Sequence, residues 1–256
     1  MSRQELLRIE NLAVEVDRSK VLHDIELSIN AGEAHVLFGP NGSGKTSLLM
    51  AIMGVPRYRV TRGRLRFRGE DIVPLAADER ARRGIGMVYQ RPPTVRGLSL
   101  GQLAELCAGG RDGARVAQLA EQLHCSTLLS RDVHAGFSGG EIKKAELLQV
   151  LAQRPVLALI DEPDAGVDLD NIGLVGEAIN RLVGEPAADG SRPAALIITH
   201  TGHILNFVRA SMGHVLYDGT LVAEGEVSHL LDEIRKHGYG KCPICRSQVP
   251  ARSVST

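Results

Sequence analysis

Gly39-Pro40-Asn41-Gly42-Ser43-Gly44-Lys45-Thr46 constrains this chain more than any other stretch. A glycine, four residues and then Gly-Lys-Thr is the pattern of a phosphate-binding loop when a strand precedes it and a helix follows. Both flanks qualify. Ala34, Val36, Leu37 and Phe38 form an apolar run before the loop, and Ser47 to Met53 is apolar and compatible with a helix. Glycines let backbone N–H groups close around phosphate oxygens, and a helix N-terminus adds positive partial charge. Lys45 is then placed to reach the β- and γ-phosphates and Thr46 to hold Mg²⁺, with Ser47 beside them in the first helical turn.

The flanking pattern predicts an α/β fold with a mostly parallel sheet. Residues 6–38 read as strands, from the alternation of Leu7, Ile9, Leu12, Val14 and Val16 and of Ile25, Leu27 and Ile29. Asn30 to Glu33 is a turn. Arg64 to Arg68 reads as a half-exposed strand, Asp71 to Arg83 as a helix, and Ile85 to Tyr89 as a buried strand ending at Gln90. From Arg91 to Gln153 the spacing is helical (98–107, 114–123, 140–151) with no strand-like run, which predicts a helical insert. Val156 to Ile160 and Ala195 to Thr199 read as strands buried on both faces. Between them lie a helix over 170–182 and a polar loop. Asp218-Gly219 marks a hairpin, and Glu226 to His237 closes the fold as a helix. The expected division is one domain over 1–240 and a tail over 241–256.

Two further stretches carry chemistry. Leu157-Ala-Leu-Ile-Asp161-Glu162 is an apolar strand ending in an aspartate, which suits support of Mg²⁺ near a nucleotide. The carboxylate that follows can orient or deprotonate an attacking water. Ser138-Gly139-Gly140-Glu141 is locally a capping box, with Ser138 as N-cap and Glu141 three residues on. Its two glycines also leave N–H groups open to an anion.

Phe137-Ser-Gly-Gly-Glu, together with the loop at 39–46 and the strand ending at Asp161-Glu162, resembles the signature set of the ABC ATPase family. The resemblance spans about residues 6–240. It implies a nucleotide-binding domain with an N-terminal antiparallel β-subdomain and a helical insert, ATP and Mg²⁺ as cofactors, and ATP hydrolysis. It also implies that Gln90 contacts Mg²⁺ and the attacking water, that Ala165-Gly-Val-Asp168 crosses a dimer seam, and that His200 contacts the γ-phosphate. In that family the signature of one subunit (here Ser138, Gly139 and Gly140) caps the phosphate held by the loop of another. One loop and one signature in this chain imply pairing with a second copy or a sibling chain. One position departs: most members stack adenine on an N-terminal aromatic residue, and none precedes Phe38. Val16 is left for a weaker apolar contact, and modest ATP affinity with some tolerance of other nucleotides is expected.

Within the family, Glu33-Ala-His35-Val-Leu-Phe, Phe137 to Gln149, Asp161 to Asp170 and His237-Gly-Tyr-Gly240 are similar to the SufC branch, the ATPases of the Suf iron–sulfur assembly system. That likeness implies SufB/SufD-type scaffold partners docking on the insert at about 91–106. The alternative is a transporter subunit gripping a membrane permease.

Charge and cysteine content bound the rest. With 30 basic and 30 acidic residues the net charge is zero, so no basic nucleic-acid surface is expected. No apolar run approaches the ~18 residues of a spanning helix, and Met1 to Glu10 has no secretory pattern, so a cytoplasmic setting is expected. Cys107 and Cys125 read as small buried apolar residues. Cys242-Pro-Ile-Cys245 supplies half of a four-ligand Zn or Fe site, with His237 as a third candidate, or else an idle or redox-active dithiol.

Overall fold

A computed structural model describes residues 4–239 apart from Arg111 and Thr201, and without the side chains of Leu169 and Asp170. In chain order come β1 (Glu5–Val16), β2 (Ser19–Asn30), β3 (Ala34–Phe38), α1 (Lys45–Met53), β4 (Tyr58–Phe67), β5 (Glu70–Asp71), α2 (Ala77–Arg82), β6 (Ile85–Val88) and β7 (Val95–Ser99). Then follow α3 (Leu100–Cys107), α4 (Gly113–Gln122), β8 (Asp132–Val133), α5 (Gly139–Gln153), β9 (Leu157–Asp161), α6 (Leu169–Gly184), β10 (Ala194–Ile198), β11 (Met212–Tyr217), β12 (Thr220–Gly225) and α7 (Val227–His237).

The central sheet runs β12-β11-β3-β10-β9-β6. All its pairings are parallel except the β11–β12 hairpin. A second sheet, β2-β1-β4-β5, is antiparallel. Its register sets Leu7 opposite Ile29, Ile9 opposite Leu27, Leu12 opposite Ile25 and Val14 opposite Leu22, so the alternation seen in the sequence becomes one apolar face. β9 and β10 are buried throughout, as their continuous apolar runs predict. Their side chains divide by the two-residue period. Leu157, Leu159, Leu196 and Ile198 join the core under α1 and the antiparallel sheet. Ala158, Ile160, Ala195 and Ile197 join the core under α3–α6.

The far end of α1 is pinned by buried Arg80 of α2. Its Nη1 donates to the Ala51 and Ile52 carbonyls at 2.7 and 2.9 Å, and Nε to Leu75 O at 3.0 Å. A cation on the last carbonyls of a helix satisfies acceptors that the helix itself leaves open.

Three expectations need correction. The helix predicted over 71–83 is confined to Ala77–Arg82, because Asp71 pairs in β5 and Pro74 cannot sit inside a helix. The insert is not purely helical: β7 and β8 form a small antiparallel ribbon with Val95 opposite Val133. Two-residue pairing is too short to leave a period in the sequence. Cys125 is buried as expected, and burial raises its thiol pKa to about 11, but Cys107 is only half-buried.

The hairpin at Asp218-Gly219 forms as predicted, with φ of 44° and 72°. A second two-residue turn of the same kind joins β1 to β2 at Asp17 and Arg18, at φ 49° and 68°. It carries no glycine, which is why the sequence did not mark it.

Candidate nucleotide site

The loop Gly39–Gly44 leaves the C-terminal end of β3 in the middle of the parallel strands, where open α/β sheets bind ligands. Close packing requires glycine at two of its positions. A Cβ at Gly39 would lie 2.2 Å from the Leu216 carbonyl oxygen, and one at Gly44, where φ is 102°, would lie 2.7 Å from Leu22 Cδ2. α1 starts at Gly44 with no side-chain cap, so its first N–H groups are left for an anion.

Lys45 is 5% exposed. Its Nζ donates to Gly39 O at 2.9 Å and Pro40 O at 3.0 Å. Burial lowers its pKa, against the opposing pull of Glu162 and Asp161. The ammonium thus folds over its own loop and is held by carbonyl oxygens that phosphate oxygens can replace.

Thr46 Oγ1 donates to Asp161 Oδ2 at 2.9 Å. Asp161 ends β9 and is fully buried, and its Oδ1 has no hydrogen-bond partner among the described residues. Burial raises its pKa, the Thr46 hydroxyl lowers it, and neighbouring Glu162 raises it again. A buried carboxylate oxygen without a partner, beside a hydroxyl, is the donor chemistry a hard divalent cation takes up. These residues fit Mg²⁺.

Glu162 turns the chain at φ 47°, and its N–H donates to Ile198 O at 3.1 Å. Its carboxylate accepts from Gln90 Nε2 and pairs with His200 Nε2. Three residues from the ends of β6, β9 and β10 thus meet, although 72 positions separate Gln90 from Glu162. With Val21, Asn41, Gly42, Gly44, Lys45, Thr46 and Ser47 they bound a cavity of about 420 Å³. Val21 of β2, and not Val16, is the apolar residue in its wall. A larger groove of about 540 Å³ contains Arg68, Arg82, Arg83 and Arg154 but none of the motif residues. It lies at the other end of the strands, beside Gly84 and Val156, so size does not locate the chemistry here.

The remaining predicted residues stand apart from that cavity. Ser138 caps α5: its Oγ accepts from Glu141 N at 3.3 Å, and Glu141 Oε2 accepts from Ser138 N at 2.7 Å. Gly139 is tight, since a Cβ there would lie 2.9 Å from Gly166 O, whereas Gly140 faces open space. Asp168 caps α6, accepting from Asn171 N at 2.9 Å. None of these four residues lines the cavity. Cys242 and Cys245 lie outside the described residues. Among those described, no group of three or more His, Cys, Asp or Glu is placed to hold a metal.

Sequence reasoning missed Val21 and two buried charges on α5. Lys143 Nζ donates to Tyr89 O at 2.9 Å, and Glu146 Oε2 accepts from Tyr89 N at 3.0 Å. A signal was present. Both charges fall in the buried phase of the helix with Leu147 and Val150, and a charge there needs a partner.

A strand-loop-helix phosphate cradle, an aspartate-glutamate strand end and a separate Ser-Gly-Gly helix start define an ATP-binding cassette. The chain belongs to the ABC transporter family of ATPases: the model of that family, described as "ABC transporter", matches residues 22–165. Within it the chain is close to SufC. It is 32% identical over 249 residues to the "Probable ATP-dependent transporter SufC" of Escherichia coli (strain K12), covering 92% of this chain and 98% of that one. It is also 34% identical over 246 residues to a "Probable ABC transporter ATP-binding protein" of Streptococcus pyogenes serotype M3, covering 91% and 93%. Among solved structures, a nucleotide-free ATP-binding cassette from an ABC transporter matches with a TM-score of 0.73 at 26% identity, covering 90% of this chain and 96% of that one.

Proposed function

We propose that the chain is a Mg²⁺-dependent ATPase that works as a homodimer, and that ATP-driven closure of the dimer acts on a soluble SufB/SufD-like scaffold for iron–sulfur cluster assembly. The observation that carries the ATPase reading is the convergence of Gln90, Glu162 and His200 on the cavity that Lys45 and Thr46 open. Lys45 leaves the Gly39 and Pro40 carbonyls for phosphate oxygens. Thr46, Asp161 and Gln90 would hold Mg²⁺, which neutralises phosphate charge when bound. Glu162 orients and deprotonates the attacking water, and His200, whose Nε2 pairs with Glu162, is the residue that would contact the γ-phosphate. Ser138, Gly139 and Gly140 of a second copy complete the cradle, in line with their absence from the cavity wall within one chain. Asp168 lies on the seam.

Lys45→Ala tests the cradle. It removes a charge-assisted contact, so MgATP affinity falls about 10- to 100-fold. Isothermal titration measures this, and an unchanged affinity sinks the cradle assignment.

The likeness to SufC over nearly the whole of both chains supports a scaffold partner. No described helix is long and apolar enough to cross a membrane. Closure can drive the scaffold only through contacts made in the closed state. The second reading, a transporter subunit bound to a permease, is supported by the names of both relatives, each of which is called a transporter protein. Purifying the native chain from a detergent-free lysate separates the two. A scaffold partner co-purifies in the soluble fraction, and a partner found only in the membrane pellet overturns the scaffold reading.

A further inference from the structure

The segment Tyr89–Pro93 carries Gln90 from the sheet into the insert, and the insert grips it on both sides. On one side, Glu146 Oε2 accepts from Tyr89 N at 3.0 Å. On the other, His134 Nδ1 donates to Pro93 O at 2.9 Å. The two grips are joined, because His134 Nε2 lies 3.2 Å from Glu146 Oε1, off the axis of a good hydrogen bond. Both ring nitrogens thus face acceptors, one a carbonyl and one a carboxylate, which is the arrangement of an imidazolium. Burial alone lowers the His134 pKa, but Glu146 and the Pro93 carbonyl more than reverse this and raise it above its ordinary value.

The His134 and Glu146 side chains are 4% and 5% exposed. A buried ion pair is a poor way to gain stability, since desolvation offsets most of the attraction and apolar residues of similar size do as well. Their chain neighbours Val133 and Leu147 are buried apolar residues, and the Phe137 ring stands edge-on to His134 at 6.0 Å. What the pair does provide is two fixed backbone points, one residue before Gln90 and three after it.

We infer that Glu146 and His134 are positioning residues for Gln90, setting its amide against Glu162 by clamping the backbone at Tyr89 and Pro93. α5 starts at the Ser138 cap and carries Glu146 two turns later. The same rigid helix therefore presents the signature to a second copy and holds the glutamine of its own site. This inference rests on the reading of Gln90 and Glu162 as parts of the hydrolytic site.

The test is a double-mutant cycle on steady-state ATPase with purified full-length chain, measuring kcat and nucleotide affinity separately. Glu146→Ala lowers kcat about 10- to 100-fold, because a displaced group near the reacting centre loses that much, while MgATP affinity changes less than about 2-fold. Glu146→Gln keeps an acceptor for Tyr89 N–H and restores part of the loss. In a Gln90→Ala background, Glu146→Ala has no further effect, because its action passes through a residue already removed. Additive losses in the two backgrounds, or an equal fall in affinity, overturn the positioning role and leave the site reading intact. A Gln90→Ala variant with full turnover overturns the site reading and this inference with it. If Glu146→Ala does not fold, His134→Asn runs the same cycle with the same readings.

Discussion

Replacing Glu162 with Gln lowers steady-state ATP hydrolysis at least about 100-fold, the usual loss on removing a general base, and traps an ATP-bound dimer. The substitution keeps the shape of the side chain, so Gln90 and His200 still have an amide to meet where Oε1 and Oε2 stood. The ability to take a proton from water is what disappears. Lys45, Thr46 and Asp161 are untouched, so nucleotide still binds and still draws a second copy onto the open face. Sizing chromatography with MgATP should move the variant to the dimer position, while the wild-type chain returns to monomer as it turns over. A variant that stays monomeric with MgATP sinks dimer closure. One that hydrolyses within about 3-fold of wild type sinks Glu162 as the base.

The second large effect concerns acid. His35 of β3 and His214 of β11 are buried side by side, with Nδ1 of the first 2.9 Å from Nε2 of the second. His35 Nε2 lies 3.1 Å from Glu33 Oε2 and donates to it, so His35 Nδ1 is the acceptor and His214 Nε2 the donor. Both rings are then neutral. Burial, and then the neighbouring His35, push the His214 pKa from 6.5 down to about 3. Burial lowers His35 as well, against Glu33 and Glu224. The sign follows from proton binding: between pH 6.5 and about 3 the unfolded chain takes up a proton at position 214 that the folded chain refuses. The stabilisation is fully present above the unfolded value and is lost as pH falls through that window, at up to about 1.4 kcal/mol per pH unit. For a coupled buried pair a net effect on the order of 2–4 kcal/mol is expected, a large share of a typical domain's stability. Melting temperatures of wild type and His214→Gln, followed from pH 7.5 to 4.5, check this. Gln retains a donor toward His35 and does not titrate, so its curve is flatter, and equal slopes for the two proteins contradict the assignment.

Much of the site was legible because its chemistry is written locally. The loop at 39–46, the strand ending at Asp161-Glu162 and the capping box at Ser138 each occupy one short stretch, and each forms what its residues predict. The family likeness alone assigned Gln90 and His200 to the nucleotide, and their meeting with Glu162 was not anticipated, since no spacing in the sequence brings the ends of β6, β9 and β10 together. Tertiary partners left the weakest traces. Lys143 and Glu146 show only as charges in the apolar phase of a helix, His134 shows nothing, and the fold alone sets the Tyr89–Pro93 segment against all three. Locally, Pro74 kept the helix expected over 71–83 to Ala77–Arg82, and Asp17-Arg18 turned a hairpin without glycine. Both are cases where one backbone preference outweighs periodicity.

The place of β3 has a consequence for how the protein comes into being. Its neighbours in the sheet are β10 and β11, both from the last quarter of the chain. During synthesis the phosphate loop emerges early but has nothing to hang from until residues beyond Tyr217 have left the ribosome. Such distant pairing makes folding slow and leaves the apolar strand Ala34–Phe38 waiting without a partner, exposed to wrong ones. A chain cut short before β10 would keep every residue of the Gly-rich motif and lose the frame that holds it.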